Sequence, residues 1–278
     1  IAAGINVNVT LIFSNDRYKE VMGAYIAGLE DRLAQGLPVE HIASVASFFV
    51  SRIDTKIDSK LQDQVKGGNL TPGEYAILAG KAAIANAKLA YQQFEEVFTS
   101  DRFNVLKDHG AHVQRPLWAS TSTKNPAYRD VIYVEELIAP DSVNTVPPAT
   151  LEAFLEHGVV EITIRKDLDQ ANDVFTMLEA RSIKMQQVTD ELEEEGVKAF
   201  SDAYSTLLES VEQRRISAVE EITPIKEVVQ EKLAALKQSG FPRRLFEKDP
   251  SLWTEDLKGQ EEIRIRMDWL ETPYKEIE

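Results

Sequence analysis

The sequence predicts an α/β fold built on a parallel sheet, and three observations carry that reading. Short β-branched runs recur four times along 278 residues. Each is followed by segments with the 3–4 spacing of an amphipathic helix. Between 25 and 70 residues separate successive strands, so each connection crosses over and parallel pairing follows. A doubly wound sheet and a (β/α)8 barrel both satisfy this order. Four strands do not close a barrel.

Asn6–Phe13, NVNVTLIF, is too short for a helix and reads as a buried strand. Ser14 is placed to cap a helix reaching about Gln35, with Val21, Ala24, Tyr25, Gly28 and Leu29 on one face. Gly36 stops it and Pro38 follows. Ile42–Val45 is the second strand, and Ile53–Lys66 turns helical and polar. After a break at Gly67, Gly68, Pro72 and Gly73, a run of alanines predicts one long helix over Glu74–Phe98. A short helix at Arg102–His109 ends at Gly110. Val113–Trp118 is the third strand, followed by the Ser/Thr loop Ser120–Asn125. Helices are expected at Tyr128–Ile138, Ala149–His157, Leu168–Ser182 and Asp190–Glu212, with a fourth strand at Val143–Val146. Beyond Arg214, helices are expected at about Ala218–Gln238 and Gln260–Leu270.

Composition narrows the chemistry. With 31 Lys plus Arg against 46 Asp plus Glu, the net charge is -15, and no basic run offers a phosphate-backbone footprint. The absence of cysteine excludes disulfides and thiolate metal sites. The longest apolar runs, Val9–Phe13 and Ile42–Val50, are too short to span a bilayer. Residues 190–278 carry 22 acids against 13 bases, and residues 1–189 carry 24 against 18, so the shorter tail is the more acidic and reads as a separate unit.

In either α/β fold the active site lies at the carboxyl ends of the strands. Those ends offer Asn8, Thr10 and Ser14; Ser47, Phe49 and Arg52; Ser120, Thr121, Ser122, Thr123, Lys124 and Asn125; then Asn144 and Thr145. Hydroxyls and amides with two cations suit a sugar phosphate. Each also has an ordinary structural reading. Asn8 and Thr10 share one face of their strand, and Asn is disfavoured in strands, so it calls for a reason. By spacing alone Arg52 is a solvated helix-start residue, and the STSTKN run is as readily a plain loop or helix cap. His41, His109, His112 and His157 have no metal spacing and read as surface residues. Lys81 and Lys88 read as one solvent-facing helical pair.

The stretches INVNVTLIFS (Ile5–Ser14), IASVASFFVSRID (Ile42–Asp54), GKAAIANAKLAYQQF (Gly80–Phe94) and QRPLWASTSTKN (Gln114–Asn125), the last continuing as PAYRDVIYVEELIAPDSVNTVPPATLEAF, closely resemble transaldolases of the longer bacterial type. The resemblance runs from residue 1 to about residue 212. It implies a class I aldolase-type (β/α)8 barrel, of which this chain is the C-terminal half followed by a helical extension. It implies that a lysine amine forms a Schiff base with a ketose phosphate, and that the enamine passes a dihydroxyacetone unit to an aldose phosphate without a metal or organic cofactor. The implied pairs are sedoheptulose 7-phosphate with glyceraldehyde 3-phosphate and fructose 6-phosphate with erythrose 4-phosphate, in the cytoplasmic pentose phosphate pathway.

Carried over by position, Asn8 would bind the dihydroxyacetone hydroxyls and Thr10 the catalytic water. Ser47 and Phe49 would line the donor pocket, and Arg52 would grip the phosphate. Ser122 and Lys124 match a serine and a basic residue after the seventh barrel strand, with Ser120 the alternative to Ser122 because the loop is longer here. The family's Schiff-base lysine sits on the fourth barrel strand and its acidic residues on the first strands. Lys19, Lys56, Lys60, Lys81 and Lys88 all read as helical, and the chain opens Ile-Ala-Ala-Gly. The expectation is a chain truncated at its N-terminus, inactive alone. Residues 1–212 would be the half-barrel. The tail, residues 213–278, resembles the junction of bifunctional transaldolase/glucose-6-phosphate isomerase proteins or a helical extension packed on the barrel. The rival readings are a Schiff-base aldolase that cleaves without transfer and a non-catalytic sugar-phosphate-binding module.

Overall fold

The structure, a computed structural model, describes residues 1–222 and 225–267. Four parallel strands form one sheet in chain order: β1 (Val7–Ile12), β2 (Ser44–Phe49), β3 (Arg115–Ala119) and β4 (Val143–Asn144). All four expected strands are present and adjacent. β2 begins and ends later than the apolar count suggested, because Ser44 pairs with Val7 and the ladder runs on to Phe49.

β1 does not alternate to its end. Three steps along it, from Val9 to Ile12, match two steps on β2, from Ala46 to Phe48. This bulge places Leu11 at φ 62° and buries Leu11, Ile12 and Phe13 in succession.

Helices cover the outer face. Ser14 caps α1 (Asn15–Ala34) by accepting from the Arg17 amide, and Gly36 at φ 72° ends it. Tyr18, Met22, Tyr25, Ile26 and Leu29 form its buried face. Phe48 of β2 meets Tyr18 and Trp118 edge-on, at centroid distances of 5.8 and 6.0 Å. α2 (Ser51–Lys66) follows β2 without a connecting loop.

The single helix expected over Glu74–Phe98 is two: α3 (Pro72–Leu78) and α4 (Ala82–Phe98). Gly80 sits between them at φ 71°, a conformation that ends a helix. α4 is buried on nearly every side, and its alanines 82, 83, 85, 87 and 90 let neighbouring helices approach closely. Lys88 is therefore not solvent-facing: it is 5% exposed and pairs with Glu136 at 2.9 Å. α5 (Asp101–Lys107) leads into β3.

The helix expected over Tyr128–Ile138 reduces to α6 (Ile132–Glu135). Before it the Thr123 hydroxyl donates to the Arg129 and Asp130 carbonyls, and after it the Thr163 and Ile164 amides donate to the Ile138 carbonyl. α7 (Pro148–His157), α8 (Leu168–Ala180) and α9 (Met185–Ile222) follow. α8 packs on α4. Gly196 of α9 lies against Leu11 and Phe13, where a Cβ would come within 3.0 Å of the Leu11 side chain.

The chain divides into compact units at Asp202/Ala203. The second unit contains α10 (Lys226–Gln238), α11 (Phe241–Phe246), a 3-10 turn at Pro250–Leu252 and α12 (Leu257–Arg266). In it, Phe241 meets Trp253 edge-on at 6.2 Å and Arg244 pairs with Asp249 at 2.7 Å. The helix expected across Ala218–Gln238 includes residues 223 and 224, and that expected over Gln260–Leu270 includes 268–270; those positions lie outside the described residues. No described helix is long and apolar enough to cross a membrane.

Candidate functional site

Strand pairing assigns the faces. Asn8 pairs with Val45, Val45 with Arg115 and Ser47 with Leu117, so Asn8, Thr10, Ser47 and Phe49 share the face opposite the Tyr18–Phe48–Trp118 packing. On this face the Ser47 hydroxyl donates to Asn8 Oδ1 at 2.7 Å. Ser47 is buried, while Asn8 and Thr10 are exposed. The bond engages the Asn8 amide oxygen and leaves its Nδ2 donors for another partner. Asn8 is the second residue of β1, so it is not at the strand's carboxyl end as expected. It stands near the amino-terminal end of the sheet, level with Val45 of β2 and Arg115 of β3.

The carboxyl ends of β2 and β3 are stitched beyond the strands. The Val50 and Ser51 amides donate to the Ala119 and Ser120 carbonyls at 2.9 and 3.0 Å. The Ser51 and Ser120 hydroxyls lie 3.1 Å apart. Ser120 is therefore engaged in the stitch, at φ 59°. One residue past Ser51, the exposed Arg52 guanidinium lies 5.1 Å from the centre of the Phe49 ring. Two residues past Ser120, Ser122 accepts a 2.6 Å hydrogen bond from the exposed Lys124 ammonium. Among the described residues, neither Arg52 nor Lys124 pairs with a carboxylate. Thr121 donates to Asn144 Oδ1 at 2.8 Å, and Thr145 bonds the Trp118 carbonyl.

Arg52, Ser122 and Lys124 thus stand at one end of the sheet, and Asn8, Thr10, Ser47 and Phe49 on the face leading to it. Phe49 belongs to both groups. Direct contact joins Asn8 to Ser47, Arg52 to Phe49 and Lys124 to Ser122, but not one pair to another. The arrangement presents two unneutralised cations beside neutral donors, which suits an anion carried on a polyhydroxylated body.

Sequence reasoning missed the residues beneath this end. Asp54 and Asp58 lie one turn apart on α2 and are 1% and 6% exposed. Asp54 accepts from the Ala83 amide and the Tyr133 hydroxyl, each at 2.8 Å. Asp58 accepts from the Gly80 amide at 3.1 Å and the Tyr128 hydroxyl at 2.6 Å. Burial pushes the Asp54 carboxyl up to about 7, against the hydrogen bonds that favour its charge, and raises Asp58 for the same reason. The available signal was the spacing. Two carboxylates four apart directly follow the apolar positions Ile53 and Ile57, which places them at the buried face. All four histidines are exposed.

Comparison with known proteins follows the first compact unit. A family model described as Transaldolase/Fructose-6-phosphate aldolase matches residues 1–211. The chain is 50% identical over 219 residues to a protein named transaldolase from Parafrankia sp. (strain EAN1pec), an alignment covering 78% of this chain and 58% of that protein. It is 50% identical over 213 residues to transaldolase 1 of Streptomyces coelicolor, covering 76% of this chain and 54% of the relative. It is 49% identical over 213 residues to the transaldolase of Mycolicibacterium smegmatis, covering 76% and 56%. The chain spans little more than half the length of these curated relatives.

Proposed function

The chain belongs to the transaldolase/fructose-6-phosphate aldolase family, and on that premise we propose that it forms the substrate and phosphate wall of an enzyme transferring a dihydroxyacetone unit between sugar phosphates. The observation that carries this reading is the placement of Arg52 and Lys124 at the end where β2 and β3 are stitched, with Asn8 and Ser47 hydrogen-bonded on the adjoining face. In this reading Arg52 and Lys124 hold the phosphate, Asn8 with Ser47 orients the sugar hydroxyls, and Thr10 holds a water. Phe49 closes the pocket floor and presents Arg52. Ser122 steers Lys124, while Ser120 serves the fold through Ser51.

The electrophilic carbon of the ketose would be captured as an imine by a lysine, whose protonated nitrogen accepts the electron pair when the C3–C4 bond breaks. No lysine stands on β1, β2, β3 or β4. The proposal therefore places the nucleophile on residues outside this sequence, with the present chain acting in sugar-phosphate metabolism as part of a longer protein. The unit from Ala203 onward would be a helical extension or a connection to an isomerase domain, and the whole would work in the cytoplasm. A non-transferring aldolase would use the same wall, and release of the three-carbon unit in place of its transfer separates the two.

Binding of fructose 6-phosphate and of fructose to the 278-residue chain, followed by calorimetric titration, tests the wall. Hydrogen bonds to a charged partner contribute roughly 1.5–3 kcal/mol, so Arg52→Ala is expected to weaken the phosphorylated sugar about tenfold to a hundredfold. Fructose should be nearly unaffected. Borohydride treatment with fructose 6-phosphate is expected to leave no adduct on this chain. Equal losses on the two sugars would remove the phosphate role, and a trapped lysine within the sequence would remove the claim about the nucleophile.

A further inference from the structure

Asp54, Asp58, Tyr128 and Tyr133 play no part in that wall, yet they form a hydrogen-bonded polar cluster near it, buried at Asp54, Asp58 and Tyr133 and half-buried at Tyr128. Each carboxylate oxygen has one donor. One oxygen of each faces the start of α4, through Ala83 and Gly80, and the other faces a tyrosine of the segment after β3. α2 therefore grips two separate pieces of chain with two adjacent turns.

The tyrosine side of that grip is the loop that carries the second cation. Tyr128 and Tyr133 follow Lys124 by four and nine residues. Between Lys124 and Tyr128 the chain is stiffened locally: the Ala127 amide donates to Asn125 Oδ1 at 3.0 Å and the Tyr128 amide to the Asn125 carbonyl at 3.1 Å. The Thr123 hydroxyl bonds the Arg129 and Asp130 carbonyls at 3.2 and 3.0 Å. Residues 123–130 thus form one tied turn, and its attachment to α2 is the Tyr128 hydroxyl. The seat of that ring is built to fit. Gly80 approaches Tyr128 so closely that a Cβ would lie 2.7 Å from the ring. Lys124, Asp54, Asp58, Tyr128 and Tyr133 line a common cavity of about 310 Å³.

Arg52 stands in the first turn of the same helix. We propose that Asp58 with Tyr128, supported by Asp54 with Tyr133, are positioning residues that fix the Lys124 loop to the helix bearing Arg52, so that the two cations keep one spacing suited to a single phosphate. The proposal rests on the sugar-phosphate reading above for its ligand, and on the geometry alone for the loop. Physically, a phenol–carboxylate bond is a stiff tie, and that of Tyr133 to Asp54 is also fully buried. Two cations left without such ties would repel one another and spread. A pre-set spacing spares the ligand the cost of ordering the loop.

Two measurements on the whole chain decide it. Amide hydrogen exchange reads the loop, and titration with fructose 6-phosphate and fructose reads the site. Tyr128→Phe keeps the ring on Gly80 and removes only the hydroxyl; Asp58→Asn keeps an acceptor and removes the charge. In Tyr128→Phe, exchange of the amides of residues 121–125 and 127 is expected to rise about tenfold, equivalent to about 1.4 kcal/mol, with α1 unchanged. Affinity for fructose 6-phosphate should fall about threefold to tenfold, and that for fructose should stay. Asp58→Asn should shift both readouts in the same direction. Unchanged loop exchange in both variants overturns the tie. Faster exchange with equal losses on the two sugars overturns the phosphate spacing and leaves a purely structural cluster. If the unmodified chain binds the two sugars equally, the sugar-phosphate reading itself falls, and with it the phosphate spacing; the exchange result then still decides whether Tyr128 holds the loop.

Discussion

At the residue scale, the decisive positions are those where a polar atom is held or left over. Asn8 is a poor strand former, and its place in β1 is explained by the Ser47 hydroxyl that it accepts. Gly80 answers to two demands at once, a positive φ and the face of Tyr128. Tyr18 is the opposite case. Its ring is fully buried against Phe48, while its hydroxyl has no protein hydrogen-bond partner. Burial raises its pKa far above the ordinary phenol value. A buried hydroxyl without a partner costs about 1–3 kcal/mol, so Tyr18→Phe is expected to stabilise the chain by roughly 1 kcal/mol, as read by urea unfolding. Destabilisation of that size would mean that a buried water serves the hydroxyl and that the position is polar by design.

At the scale of elements, α2 joins the most parts. It continues directly from β2, presents Arg52 in its first turn, buries Ile53, Ile57 and Leu61, and holds α4 and the loop after β3 through Asp54 and Asp58. Lys56 on its outer side pairs with Glu191 and Glu195 of α9 at 3.0 and 2.6 Å. The exposed partners make these pairs a minor source of stability. The carboxylates have a pH signature. With Asp54 raised to about 7 by burial, the folded chain binds its proton more tightly than the unfolded chain does. This group's contribution is fully present below the unfolded value and declines as pH rises towards 7. Asp58 acts in the same direction, and Tyr128 and Tyr133, both raised by burial and by these carboxylates, stay neutral throughout. Asp54→Asn should therefore gain on the unmodified chain as pH rises from about 4 to 7, in denaturant melts at several pH values. Parallel pH profiles for the two proteins would show that the Asp54 carboxyl titrates normally.

At the scale of the molecule, the sheet of the first unit has two free edges among the described residues, since β1 and β4 each have one neighbour. β4 is only two residues long, so its edge is blunt. β1 is longer and carries exposed Asn8 and Thr10, with exposed Asn6 just ahead of it and no charged residue from Ile5 to Ser14 to discourage pairing. Edge pairing is expected, opposed by a net charge of -15. Sedimentation velocity should show association that grows with concentration and grows again at higher salt, where repulsion is screened. A single non-associating species across both series would show that the β1 edge is protected.

The sequence by itself determined the four strands, their order, the cap at Ser14 and the sharing of one strand face by Asn8 and Thr10, because β-branched runs, period-two alternation and cap chemistry are local properties. Resemblance in four long motifs pointed to the same family as the comparisons. The tertiary structure alone decided what depends on partners far apart in the chain. The break between α3 and α4 follows from a glycine that Tyr128 packs against. The shortening of α6 follows from the turn ahead of it, tied by Thr123 and Tyr128. The burial of Lys88 follows from α8 lying on α4, and the roles of Asp54 and Asp58 from donors on α4 and beyond β3. A carboxylate on an amphipathic helix reads the same in sequence whether it faces water or a tyrosine. Only the packing of distant segments supplies the second hydrogen-bonding partner and excludes the solvent.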